Sequence, residues 1–191
     1  MAVELETIFF PSADDFYRWL AQHGATSPGL ILKMAKKGVD PPSITYPQAV
    51  DVALCHGWID GQSKRIDDSF YVQRFTPRKK ASLWSKVNRE KVAALTAAGR
   101  MLPAGQAEID RAKADGRWDA AYDPPSTATV PDDLQAALDR EPDAKAFFAT
   151  LSSQNRYAIL HRLMITKNPA LRGPKIEKFV AMLIAKEKLH N

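Results

Sequence analysis

Cys55, His56 and Asp60 supply a thiol, an imidazole and a carboxylate within six residues, the side-chain types of nucleophilic cysteine catalysis. That chemistry needs a lowered thiol pKa and a base within hydrogen-bond reach. Adjacent residues on a helix do not face one another, so Cys55 and His56 make a poor pair. A lone cysteine among apolar neighbours reads as a small hydrophobe. No catalytic residue is assigned. A second group, Arg74, Arg78, Lys79, Lys80, Lys86, Arg89 and Lys91, is interleaved with Phe75 and Trp84. Cations neutralise phosphates, exposed aromatics stack on bases, and a helix opening near Ser85 offers backbone N–H groups to an anion. Arg78, Lys79, Lys80 and Lys86 are the candidate anion-binding residues. Against this, Phe75 at a strand end and Trp84 before a helix occupy positions that are commonly core. A third group, Trp58, Asp60, Lys64, Arg74 and Trp84, is the candidate lining of a small-ligand pocket. Even spacing puts Trp58, Asp60 and Lys64 on one strand face if no bulge intervenes. Arg74 on a paired strand would then reach Asp60; the structural alternative is an Asp60–Arg74 bridge beneath Trp58.

Other chemistry has weaker support. His23, His56, His161 and His190 lack metal-ligand spacing, and no HExxH, EF-hand, phosphate-loop or dinucleotide fingerprint occurs. No metal and no cofactor are expected. Asp115-Gly-Arg-Trp-Asp119 invites a functional reading, yet Gly116 is a natural helix stop and Trp118 a natural anchor.

The elements that must hold these residues follow from periodicity and breakers. Val3 to Phe10 reads as a strand stopped by Pro11. Ser12 caps a helix carrying Phe16, Trp19 and Leu20 on one face, ended by Gly24. Gly29 to Lys36 reads as a buried strand and Tyr46 to His56 as a short helix. Trp58–Ile66 and Phe70–Phe75 read as strands joined around Asp67-Asp68-Ser69. Helices follow from about Ser85 to Ala98 and from Pro103 to about Asp115. Tyr122-Asp-Pro-Pro-Ser-Thr-Ala-Thr-Val-Pro131 carries three prolines and reads as a linker. Beyond it, Leu134, Ala137 and Leu138 share a helical face, as do Phe147 and Leu151. Ser152 or Ser153 and Asn168-Pro169 mark further helix starts. Ile176, Phe179, Val180, Leu183 and Ile184 form the best amphipathic stripe. The predicted organisation is an α+β domain over 1–121, a linker over 122–131 and a helical C-terminal segment over 132–191, with a small antiparallel sheet and flanking helices in the first part.

Composition narrows the class. The 191 residues are 45% hydrophobic and 26% charged, ordinary for a globular domain and unlike a disordered or fibrous chain. One cysteine excludes an internal disulfide and a thiolate-rich metal cage. No apolar run reaches membrane-spanning length, and the start lacks a basic, apolar signal pattern, so a cytoplasmic location is expected. The formal charge of +5 conceals alternating blocks: −3 over 1–61, +7 over 62–100, −5 over 101–150 and +6 over 151–191. Such blocks can neutralise one another or make a polyanion-binding face.

Several blocks carry a family resemblance: Ala53-Leu-Cys-His-Gly-Trp-Ile-Asp-Gly61, Gln73-Arg-Phe-Thr-Pro-Arg78, Trp84-Ser-Lys-Val-Asn88, Gly99-Arg-Met101, Asp115-Gly-Arg-Trp-Asp-Ala-Ala-Tyr122 and Ile176-Glu-Lys-Phe-Val-Ala-Met-Leu183. From the first helix to the C-terminus the chain resembles the YdeI/OmpD-associated, or bacteriocin-protection, proteins. His56 departs from the apolar or aromatic residue expected there. The resemblance implies a YjbR/CyaY-like N-terminal domain, a helical C-terminal segment and a role in bacteriocin or stress protection. It brings no reaction, cofactor or catalytic set, and fold likeness alone does not fix function. The expectation is a non-enzymatic bacterial protein binding a small or anionic ligand. Nucleic-acid association through the basic 74–91 segment, or an enzyme at Trp58, Asp60 and Arg74, stands as the alternative.

Overall fold

β1 (Thr7–Phe9) and β2 (Leu30–Ala35) run parallel in the computed structural model, which describes residues 4–190. A parallel pair requires a crossover, and α1 (Ala13–His23) provides it. Ser12 starts α1 by accepting the Asp15 backbone N–H at 3.2 Å. β3 (Trp58–Arg65) and β4 (Phe70–Pro77) form the expected hairpin, whose tip is fixed by Asp67 accepting the Ser69 and Phe70 N–H groups, each at 2.7 Å. β4 then inserts between β2 and β3, giving the order β1-β2-β4-β3.

The class is therefore α+β with a helical C-terminal segment, as the periodicity indicates. The sheet is mixed where an antiparallel one was expected, because α1 carries the chain back to the end at which β1 began and β2 then runs in the same direction beside it. β1 begins at Thr7, four residues later than read, and Val3 lies outside the described residues. β4 continues to Pro77, so Phe75 is an interior strand residue, 0% exposed.

The sheet has two unlike faces. Leu30, Leu32, Met34 and Phe75 are fully buried on one, where Phe16 of α1 meets Phe75 edge-on with ring centroids 5.6 Å apart. α2 (Tyr46–Cys55) closes the same side, capped at its start by the Thr45–Gln48 box. Ile31, Lys33 and Ala35 of β2 and Val72 and Arg74 of β4 alternate with these residues and keep partial or full exposure. α4 (Pro103–Ala114) approaches α2 closely: a Cβ at Gly105 would come within 2.5 Å of the Cys55 carbonyl oxygen. Gly57, with φ +74°, has the Ala104 carbonyl oxygen 2.8 Å from its missing Cβ, so only glycine serves there. α3 (Lys86–Ala97) buries Val92 and Leu95.

The chain divides into two compact units, Met1–Trp84 with Asn88–Asp119, and Ser85–Val87 with Ala120–Asn191. The second holds α5 (Asp132–Arg140), α6 (Pro142–Thr150), α7 (Ser153–Met164) and α8 (Pro169–Ile184). Ser152 and Asn168 are the caps of α7 and α8. Their apolar faces meet in one core of Leu134, Leu138, Phe148, Ile159, Leu163, Phe179 and Leu183. Ile184, at the end of the stripe, is exposed instead. Within the proline-rich 122–131 stretch, Ala128 and Val130 pack against that core, and Tyr122 bridges Ser85 in parallel.

The two-faced sheet sets an expected outcome for urea unfolding. Phe75→Ala should cost about 3–5 kcal/mol, as truncation of a core aromatic does, whereas Val72→Ala should cost about 1 kcal/mol or less.

Candidate functional site

The hairpin that carries most of the candidate residues is irregular at one place. Asp60 pairs with Phe75 and Ser63 with Gln73, so Gly61 and Gln62 together oppose the single residue Arg74. Gln73, 4% exposed, holds this bulge by donating its side-chain amide to the Gly61 carbonyl at 2.7 Å. Each ladder pair shares a face, so the extra residue inverts everything beyond it.

The expected ligand group is split as a result. Trp58 and Asp60 lie on the helix-covered face. Trp58 is buried, donates Nε1–H to the Gly24 carbonyl at 3.1 Å and meets Trp19 edge-on at 6.0 Å. Asp60 takes the Tyr46 hydroxyl at 2.8 Å rather than Arg74. Lys64 pairs with Val72 and so joins Arg74 on the open face. Trp84 is buried elsewhere, under the Arg78 guanidinium at 3.5 Å and against Trp118 at 4.9 Å. The five residues do not line one pocket.

The anion-binding group also divides. Arg78 is buried: its Nη1 donates to the Leu83 carbonyl at 3.1 Å and its backbone N–H to the Gly57 carbonyl at 3.0 Å. Lys86 pairs with Asp123 at 2.6 Å, and Lys91 with Asp51 at 2.6 Å. Arg89 donates to the Trp118 carbonyl at 2.9 Å. Lys79 and Lys80 stay exposed on a turn closed by Ser82, whose hydroxyl accepts the Lys79 N–H at 2.9 Å.

What the fold does assemble is an open cleft of about 1010 Å³ in the first unit. Leu5 and Ile31 give it an apolar wall, Gln62 and Thr76 polar ones, and Arg74 and Lys79 its exposed cations, with Arg78 behind them. Among the described residues no carboxylate lines it. Two cations with no internal counter-ion favour an anion, and the guanidinium of Arg74 can grip an oxyanion with two donors. Thr76 lies two residues along β4 from Arg74, but Leu5 precedes β1, Ile31 is on β2 and Gln62 sits in the bulge, so spacing alone misses those three. One signal was present: Lys33 interrupts the apolar run from Leu30 to Ala35, which a strand buried on both faces would not allow.

The remaining constellations are structural. The Cys55 thiol is buried and its pKa is pushed up by desolvation, the opposite of an activated nucleophile. Burial likewise lowers the pKa of His56, whose ring lies 4.8 Å from that of Tyr17. A groove of about 460 Å³ in the second unit interleaves three acids, Asp133, Glu141 and Glu177, with two bases, Arg140 and Arg172, and Asp133 and Arg172 already pair at 2.5 Å, so it presents no field of one sign. Among the described residues no group of three or more His, Cys, Asp or Glu could hold a metal ion, and no helix is long and apolar enough to cross a membrane.

Comparison with known families divides the chain similarly. Residues 8–108, just over half of it, match a family described as a domain of unknown function, DUF8412. Residues 127–186 match the family described as bacteriocin-protection, YdeI or OmpD-associated. The bacteriocin-protection match is thus narrower than the expected span, and the Ala53–Gly61, Gln73–Arg78 and Trp84–Asn88 blocks fall within the DUF8412 match. No curated protein and no solved structure matches the chain.

Two outcomes are expected. Ellman's reagent should react with Cys55 far more slowly in the folded protein than in denaturant. Arg78→Lys, which keeps the charge but loses the planar stack on Trp84, should lower unfolding stability by about 2 kcal/mol.

Proposed function

Because the chain belongs to the DUF8412 family and its helical segment is similar to the bacteriocin-protection family, we propose that it is a non-enzymatic cytoplasmic binding protein acting in bacteriocin or stress protection. Its ligand is an anion held in the cleft at Arg74 and Lys79. The carrying observation is the charge of that cleft: exposed cations over an apolar wall, with no carboxylate among the described lining residues. An anion entering it gains charge-assisted hydrogen bonds without first breaking an internal ion pair. The mixed wall also fits a ligand with an apolar body beside its charge. Burial of Cys55 supports binding over thiol catalysis. The small sheet backed by helices supports reading the first unit as YjbR/CyaY-like in kind.

Calorimetric titration with pyrophosphate at low salt tests the reading. Wild-type protein should bind, and Arg74→Glu, an exposed substitution, should weaken binding at least tenfold or about 1.4 kcal/mol. Equal affinity in the two proteins, or no binding by either, overturns it.

A further inference from the structure

Resting on that reading, we propose that the anion is single-stranded nucleic acid, lying across the open face of the sheet with the Arg74 cleft as its phosphate anchor. Pairing register defines the face. Phe9, Lys33, Val72 and Lys64 form one row across all four strands, and Thr7, Ile31 and Arg74 with the Gly61–Gln62 bulge form the next. Phe70 lies beyond them, opposite Ala35. At about 4.8 Å per strand the row spans about 14 Å.

Charge on this face has one sign. Lys33, Arg74 and Lys64 sit on the three adjacent strands β2, β4 and β3, with Arg74 diagonal to each lysine at about 7–8 Å between Cα atoms. Among the described residues that the pairing register places on this face, none is an aspartate or glutamate. Asp60, beside the bulge, faces the helices and accepts the Tyr46 hydroxyl, and Asp67 at the hairpin tip is engaged by two backbone N–H groups; Lys33 and Lys36 add to the lowering of its pKa. Three like charges so close repel one another, and a phosphate backbone relieves that repulsion.

The surface between the cations is apolar, and this selects a single strand over a duplex. Phe9 and Phe70 are partly exposed, with ring centroids 6.5 Å apart, and Lys33 Nζ stands 4.3 Å above the Phe70 ring. Cation and ring are thus presented at one spot. A duplex hides its base faces and would leave Phe9, Val72 and Phe70 unmatched; an unpaired base can lie on them while its phosphate meets a neighbouring cation. The aromatics of the sequence-based reading, Phe75 and Trp84, are both buried, so the platform is a different pair on a different surface.

Fluorescence anisotropy of the full chain with labelled oligonucleotides of roughly twelve residues is the test. Single strands should bind at about 50 mM salt, with a slope of log affinity against log salt near −2 for three phosphate contacts at about −0.7 each. Lys64→Ala, at an exposed position, should make that slope shallower by about 0.7. Phe9→Leu, which keeps bulk but removes the ring, should weaken binding by about fivefold or more and leave the slope unchanged. Arg18→Ala, on α1 at the helix-covered side of the sheet, should change neither. Equal affinity for duplex and single strand, or insensitivity to Phe9→Leu and Lys64→Ala, overturns the inference. If pyrophosphate binds and Arg74→Glu abolishes it while oligonucleotides do not bind, this inference falls and the anion cleft stands. If neither ligand binds, both fall.

Discussion

One extra residue in β3 governs the first unit. Gly61 and Gln62 share the ladder place opposite Arg74, and strand geometry then assigns every later side chain to the face opposite the one simple alternation predicts. Before the bulge, Trp58 and Asp60 belong to the helix-packed side; after it, Lys64 joins the open side. The bulge is locally consistent. Gln73 supplies the amide that holds the Gly61 carbonyl, and the Arg74 stem packs beside Gly61, its nearest atoms 3.6 Å from where a Cβ would stand, an ordinary contact distance.

The same separation explains how a strongly basic segment folds. Of its cations, Arg78 stacks on Trp84, Arg89 reaches the Trp118 carbonyl, and Lys86 and Lys91 take carboxylate partners. Guanidinium groups suit this internal role because they are weakly hydrated and planar, so stacking on an indole costs little desolvation. Of the cations left exposed, Arg74 and Lys64 stand on the open face of the sheet, and Lys79 and Lys80 on the turn that follows β4. The charge in 62–100 is thus partly structural mortar and partly surface.

Much of the architecture was legible because it rests on local rules. Ser12, Ser152 and Asn168 act as caps, Gly24 and Gly116 lie at helix ends, and the Ile176–Leu183 stripe is the core face of α8. Each depends on a few neighbouring residues, so spacing alone reveals it. The parallel pairing of β1 with β2 was not legible, since strand direction depends on which strands meet. Nor was the candidate site: Ile31, Gln62, Arg74 and Thr76 gather only through pairing across three strands.

By itself the sequence determined the α+β class, the helical C-terminal segment, the absence of a disulfide and the position of the basic block, because composition and periodicity act over short range. Only tertiary structure decided where the cations of that block stand. Whether a cation is buried on an indole, paired with a carboxylate or left on an open sheet depends on register, and a single inserted residue reverses register without changing any local propensity.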